Sequence, residues 1–367
     1  EFNQRRASIR DDAARMSQLR NDWLLKSVDD ELSGLKIVHG DSKTPRKFTR
    51  HWGDDEPTVD GTDIPIWIRD EWNVTETKAK EAAAKAGTES PVVFVLLPKI
   101  DADTIRDTLA SYAAAADTIN QRPEPQTDEG RQAKQGMQSR VQEGERRLAD
   151  LFGTVITKAR VFQGGGNELT TASLRSGVEA AGNHALSRLF PKFNVGDNPN
   201  WGKVKDKARD GAPDALTYVG WTGEVPANPV CKEVLARTSG AGTKGSDIQR
   251  QLDDPPYGWP KDAIDGALLA LLANGNIRAE RDGQKIGSAK ELPATQISKA
   301  TFYKEDEPPS TSERMAVRGV LTEAKIPYVT GQEAAALSGL LQHLEDLATA
   351  AGGPAPLPEP PSTSHLE

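Results

Sequence analysis

PPYGWPKDAIDGALLALLANGNIRAERDGQKI, residues 255–286, runs from a helix straight into a hairpin. Pro260 falls at the first turn of the helix, where its missing N–H removes no hydrogen bond. Apolar side chains then recur as pairs four residues apart, Ala263/Ile264, Ala267/Leu268 and Leu271/Leu272, which makes one wide buried stripe. Asn274-Gly275 supplies the stop, since both residue types tolerate the left-handed backbone just past a helix. Ile277–Arg281 and Gln284–Ile286 flank Asp282-Gly283, and Asp-Gly between two short extended runs predicts a tight hairpin.

Working outward, Val230–Arg237 and Ser246–Leu252 read as two further short helices around a Gly-rich turn, with Ser246 as N-cap. Helix, turn, helix, longer helix and hairpin is the order of a winged helix-turn-helix. With the paired apolar positions turned inward, Lys261, Asp262 and Asp265 are expected on the outward side of the third helix, the surface that would enter a major groove. A carboxylate facing a phosphate at about 4 Å costs roughly 1 kcal/mol even in a medium as polar as water. Residues 224–291 carry nine Lys/Arg against ten Asp/Glu, which is not the basic footprint of a nucleic-acid reader. A winged helix used for protein association is therefore expected, with Arg278, Arg281 and Lys285 on the wing as the residual DNA contacts.

The 367 residues suffice for two or three domains with real cores, and a formal charge of −8 gives no general attraction to nucleic acid or anionic membrane. The single cysteine, Cys231, rules out an internal disulfide and a Cys-based zinc site, and its place in a core helix fits a small buried residue. No apolar run approaches the roughly 18 residues of a membrane span, so no membrane partner and a cytoplasmic location are expected. The chain lacks an initiator Met and reads as a piece of a longer protein.

Towards the N-terminus, Ile9, Ala13, Met16, Leu19 and Trp23 form one stripe of a long helix over Arg5–Leu35. Residues 42–52, SKTPRKFTRHW, hold Lys43, Arg46, Lys47 and Arg50 with no acid, interleaved with Phe48 and Trp52; they suit backbone phosphates, but a solvated loop is the simpler reading. Ile64–Ile68 and Val92–Leu97 are continuous apolar runs of strand length, the mark of strands buried on both faces. Helices are expected over Thr75–Lys85, Asp103–Ile119, Gly130–Phe152 and Leu169–Leu189, and a strand over Thr154–Phe162. Short helices follow between Asn198 and Tyr218. Ser310 with Glu313 and Thr330 with Glu333 are capping-box patterns that open two helices, at about 311–325 and 331–350. GGPAPLPEPP closes the chain as a semi-rigid linker.

The fold expected is mixed α/β and helix-rich: a small, largely parallel sheet with flanking helices, then a winged helix-turn-helix and a C-terminal helical hairpin. Its divisions are a long helix and basic loop (1–58), an α/β domain (59–222), the winged helix (223–305), the hairpin (306–352) and a Pro-rich linker (353–367).

No catalytic constellation is legible. Gly240, Gly242 and Gly245 spell G-x-G-x-x-G, but no strand precedes them as a dinucleotide site requires. Gly164-Gly165-Gly166 between a strand and a helix could hold a phosphate on its amides, yet no Lys-Ser/Thr follows and Glu168 would repel the anion. Pro98-Lys99 stand where a P-loop ATPase strand would end in acids, and no G-x-x-x-x-G-K-[ST] exists. Pro213-Asp214 with Glu224 faintly suggests a metal nuclease, but Pro226 takes the place of the required lysine. The five histidines are scattered singly, without zinc or triad spacing. No catalytic, cofactor or metal residue is assigned in this chain.

Seven segments in order, IPIWIRDEW, SPVVFVLLPK, ARVFQGGG, LSRLFPKF, PPYGWPKDAIDGALLAL, SERMAVRGVL and APLPEPPSTSHLE, resemble the region downstream of the nucleotide-binding core in the BrxC/PglY family. These are large AAA+-like P-loop proteins of the BREX and phage growth limitation systems of bacterial antiviral defence, and the Ala-, Asp- and Arg-rich composition looks more like PglY. The resemblance spans roughly residues 60–367, and PPYGWPKDAIDGAL is its most specific motif. It implies a parent ATPase using ATP and Mg outside this chain, acting with a methyltransferase and a phosphatase-like protein in discriminating phage from host DNA. This chain would then be a non-catalytic module for protein assembly, or for coupling the ATPase core to DNA. The alternatives are a sequence-tolerant DNA-binding winged helix and an unrecognised metal-dependent nuclease.

Overall fold

The computed structural model describes residues 1–121, 124–212, 214–306, 310–328 and 333–351. The chain is helix-rich and mixed α/β, and divides into two units: Glu1–His39 with Pro45–Leu189, and Gly40–Thr44 with the chain from Phe190 onward.

The first unit begins with α1 (Phe2–Asp11) and α2 (Ala13–Glu31). The expected single helix is broken at Asp12, whose extended backbone stops α1 while its carboxylate accepts the Arg15 N–H and so caps α2. A short ribbon of β1 (Ile37–His39) and β2 (Thr44–Arg46) follows. Then come β3 (Phe48–Trp52), β4 (Ile64–Asp70), α3 (Glu76–Lys85), β5 (Val93–Leu97), α4 (Ala102–Asn120), α5 (Asp128–Thr157), β6 (Arg160–Phe162), β7 (Glu168–Leu169) and α6 (Leu174–Leu189).

The five-stranded sheet has the order β3-β4-β5-β6-β7. Pairing is parallel between β3, β4 and β5 but antiparallel from β5 to β6 and from β6 to β7, so the sheet is mixed rather than largely parallel. Residues 48–52 are its edge strand, not the solvated loop expected: Phe48 to Trp52 pair one for one with Ile64 to Ile68. The apolar runs of β4 and β5 follow from cover on both sides. Trp67, Phe94, Leu96 and Phe162 pack with Ala79 and Ala83 of α3, while α6 lies against β4, β5 and β6.

The strand expected over 154–162 is mostly helix. Leu148, Phe152, Val155 and Ile156 fall on one helical face and are all buried, so packing overrides the β-branched preference and leaves only three residues to pair with β5. Phe152 stacks on Trp23 of α2 at 5.9 Å, and Tyr112 of α4 meets the same indole edge-on at 6.0 Å, which binds the three helices together.

The second unit contains α7 (Phe193–Gly196), α8 (Trp201–Arg209), α9 (Pro229–Arg237), β8 (Thr243–Lys244), α10 (Gly245–Asp253), α11 (Lys261–Ala273), β9 (Ile277–Arg281), β10 (Gln284–Ile286), β11 (Thr301–Lys304), α12 (Thr311–Glu323) and α13 (Leu337–Ala350). The hairpin turns where expected, with Asp282 at φ 54° and Gly283 at φ 78°. A strand not anticipated, β11, pairs with both β9 and β8 and gives the sheet order β10-β9-β11-β8. Ser246 does not cap α10, because the helix already starts at Gly245, whose N–H donates to the Ala300 carbonyl. Trp259 anchors the core, fully buried, with its Nε1 donating to the Lys192 carbonyl at 2.9 Å and its ring against Gly196. Ser310 and Glu313 form the capping box expected at α12. Thr330 and the linker 353–367 lie outside the described residues.

Candidate functional site

The third helix of the organising stretch, α11, is enclosed nearly all round. Every residue from Ala263 to Leu272 is buried, and only Lys261 and Asp262 of its first turn are exposed. Helix α8 lies across the side expected to face a DNA groove: the Trp201 ring covers Gly266, and Lys205 makes an ion pair with Asp262. Asp265 is therefore not outward-facing. It is 2% exposed and accepts a hydrogen bond from Gln249 of α10. Burial pushes its carboxyl up to about 6, against the pull of that hydrogen bond and of Lys261 and Lys205.

The cations of the β9–β10 hairpin are each set against a carboxylate. Arg278 lies over the Tyr303 ring at 4.4 Å and its Nε is 3.6 Å from Glu305. Arg281 pairs with Asp282 at 3.6 Å, and Lys285 sits directly across the hairpin from Glu280, which also accepts the Tyr303 hydroxyl at 3.1 Å. The three stand together on β9 and β10, as expected, but on a charge-balanced surface.

The basic stretch is divided. Arg46 is 4% exposed and out of reach of a phosphate backbone, while Arg50 pairs with Asp29 at 2.7 Å. Lys47 is exposed beside the edge strand in the first unit. Lys43 belongs to the second unit, on a loop whose Asp41 and Ser42 amides donate to the Asp197 carboxylate at 2.8 and 2.7 Å. With Arg46 buried and Arg50 paired, the cations of the first unit do not make a phosphate-binding row.

Protein-family models, curated proteins and solved structures yield no match to this chain. What the site can do is therefore argued from its own geometry.

Both glycine motifs are places of close approach. A Cβ on Gly245 would stand 2.1 Å from the Ile297 carbonyl oxygen, so the start of α10 can press on that backbone only as glycine. Gly164-Gly165-Gly166 turn between β6 and β7, not between a strand and a helix, and the Gly165 N–H is already given to the Ala83 carbonyl at 2.8 Å. Cys231 is fully buried and its thiol pushed up to about 12, which removes it as a nucleophile. Of the nuclease-like pattern, Pro213 lies outside the described residues and Asp214 immediately precedes a short 3-10 turn over Ala215–Val219. No helix among the described residues is long and apolar enough to cross a membrane.

Sequence reasoning missed the cover on α11, although the signal was present. Leu268, Leu269, Leu271 and Leu272 with Ala267 and Ala270 leave no polar side on the helix, and Trp201, Val204 and Ala208 supply a partner stripe. It also missed a row on α13, where Leu337, Leu341, Leu344 and Leu347 are exposed at helical spacing.

Proposed function

We propose that this chain is a non-catalytic assembly module of a BrxC/PglY-like defence ATPase. Helices α9, α10 and α11 with the β9–β10 hairpin are read as a winged helix used for protein association, and α12 with α13 as the helical hairpin that follows it. The observation carrying this reading is the Trp201–Gly266 contact, which fills the side of α11 that a DNA-reading winged helix must leave open. The balanced charges of the wing and the uncovered leucines of α13 support it in the same direction. The partner that fits is the P-loop core of the same parent polypeptide, with ATP and Mg held there and the methyltransferase and phosphatase-like protein joined through the assembly.

The test mixes the purified chain with that core, produced as a separate polypeptide, and in parallel with duplex DNA at roughly 50 mM salt. A complex with the core that is lost in Leu341→Glu/Leu344→Glu, together with no duplex binding, is the expected result. Duplex binding that weakens steeply with salt and is lost in Arg278→Ala/Arg281→Ala would replace the assembly reading with a sequence-tolerant DNA-binding one.

A further inference from the structure

The carboxyl ends of β4 and β5, the inner parallel pair of the five-stranded sheet, open onto a crevice of about 370 Å³ walled by α2 and the start of α4. Ligands in open α/β sheets collect at this edge because loops, not helices, close it. The charged lining is Arg10, Arg20, Lys99 and Arg106 against the single acid Asp103, and Met16, Ile105, Leu109 and Trp72 give an apolar floor. Four cations to one carboxylate is out of keeping with a chain whose formal charge is −8.

Two of these cations are already committed. Arg10 pairs with Asp107 at 3.1 Å, and Arg106 donates to the Arg10 carbonyl at 2.8 Å. The other two are not. Arg20 lies over the Trp72 ring at 5.4 Å, makes no ion pair within 4 Å among the described residues, and its Nε is shut off from solvent without an acceptor. Its Nη2 reaches only neutral oxygens, Ser17 at 3.0 Å and Asn21 at 3.4 Å. Lys99 follows the end of β5 and is exposed, and its amino group has no ion pair among the described residues. Of the nearby carboxylates, Asp70 attracts Arg20 only through space and makes its hydrogen bonds to the Trp72 N–H and to Asn73, both at 2.9 Å, while Glu71 accepts the Lys99 backbone N–H at 2.9 Å.

A half-buried guanidinium with an unfilled donor, beside an unpaired ammonium, carries a desolvation cost that an anion would offset. We infer that this crevice binds a small phosphorylated molecule, with Arg20 and Lys99 holding the phosphate and the Trp72 side taking the organic part. Arg supplies a planar fork and Lys a mobile point charge, the combination that suits a tetrahedral dianion.

The test is calorimetric titration of the whole chain with inorganic pyrophosphate, using chloride at matched ionic strength as the blank. Saturable binding is expected, weakened tenfold or more by Lys99→Gln, an exposed position whose loss leaves the fold intact. Arg20→Gln should weaken it at least as much, with far-UV circular dichroism reporting whether that variant is folded. Absence of saturable binding, or binding unchanged in Lys99→Gln, overturns the inference. So does a single-stranded oligonucleotide that competes with pyrophosphate far more tightly through the same two residues, since the crevice would then belong to a nucleic-acid path. None of these outcomes bears on the leucines of α13, so this inference and the assembly reading fail separately.

Discussion

The ring of Trp201 rests on Gly266 so closely that a methyl group there would stand 3.1 Å from the indole Cε3. Helix α8 therefore locks α11 into the core rather than leaving it free to meet a ligand. Gly266→Ala should be nearly neutral, because the gain in helix propensity of about 1 kcal/mol offsets a contact that yields slightly. Gly266→Leu should cost about 3 kcal/mol or more by overpacking, and Trp201→Ala about 3–5 kcal/mol by leaving a cavity. Urea unfolding reads both. A tolerated leucine would mean that α8 lifts away, and the DNA reading would regain its surface.

How much of this could be read in advance depended on whether neighbours or periodicity decided the element. The α11 helix, the Asp282-Gly283 hairpin and the Ser310–Glu313 box were legible because each is fixed by local chemistry. Asp12 was not, because one carboxylate turning back to the Arg15 N–H leaves the apolar stripe unbroken on both sides. The outward position of Asp265 failed for another reason: the paired stripe is not the only apolar side, since Leu269 and Ala270 make the opposite side apolar too and call for a cover such as α8. Arg20 and Lys99 gave no signal at all, since they lie far apart in sequence and come to line one crevice only once α2 packs beside α4 at the end of β5.

The buried Asp265 carboxyl makes stability depend on pH. Its folded value, about 6, lies above that of an exposed aspartate, so the folded state holds a proton that the unfolded state has released between roughly pH 4 and 6. Its contribution is most favourable below pH 4 and is lost as pH rises through 6, by about 2–3 kcal/mol in all. Asp265→Asn keeps the acceptor for Gln249 and removes the charge. The variant should be more stable than the parent at pH 7.5 and equal to it near pH 4, as measured by urea midpoints at both. Comparing the two proteins cancels every other titrating group.

Arg160 joins β6, α3 and β7 through Glu76 at 2.7 Å and through Glu168, which its Nε reaches at 2.6 Å. Hydrogen bonds from Lys80 and Arg160 hold the Glu76 carboxyl at about 2. A depressed acid contributes above its unfolded range and loses that contribution as pH falls towards 2. The network lies mostly in solvent, so Arg160→Met should cost no more than about 1 kcal/mol at pH 7, and less in high salt. Carbon-detected titration should place Glu76 near 2 in the parent and raise it only part of the way in the variant, because Lys80 still donates to it. An unmoved Glu76 would show that the ion pair does not persist in solution.

Gly240 and Gly245 belong to the same G-x-G-x-x-G run, yet their surroundings demand opposite outcomes. A Cβ on Gly240 meets nothing within 4 Å, whereas one on Gly245 would lie 2.1 Å from the Ile297 carbonyl oxygen and 3.1 Å from Phe302. Gly245 also donates its N–H to Ala300 at 2.9 Å, so the backbone cannot retreat without giving up a buried hydrogen bond. Gly240→Ala should change stability by less than about 0.5 kcal/mol, as surface substitutions do. Gly245→Ala should cost about 3 kcal/mol or more, because the approaching atom is backbone and cannot rotate aside. Had these glycines formed a phosphate cradle, alanine at either position would impair ligand binding while stability stayed level. Thermal denaturation of the two single variants separates a packing glycine from a binding one, and equal midpoints would remove the close-approach account of this turn.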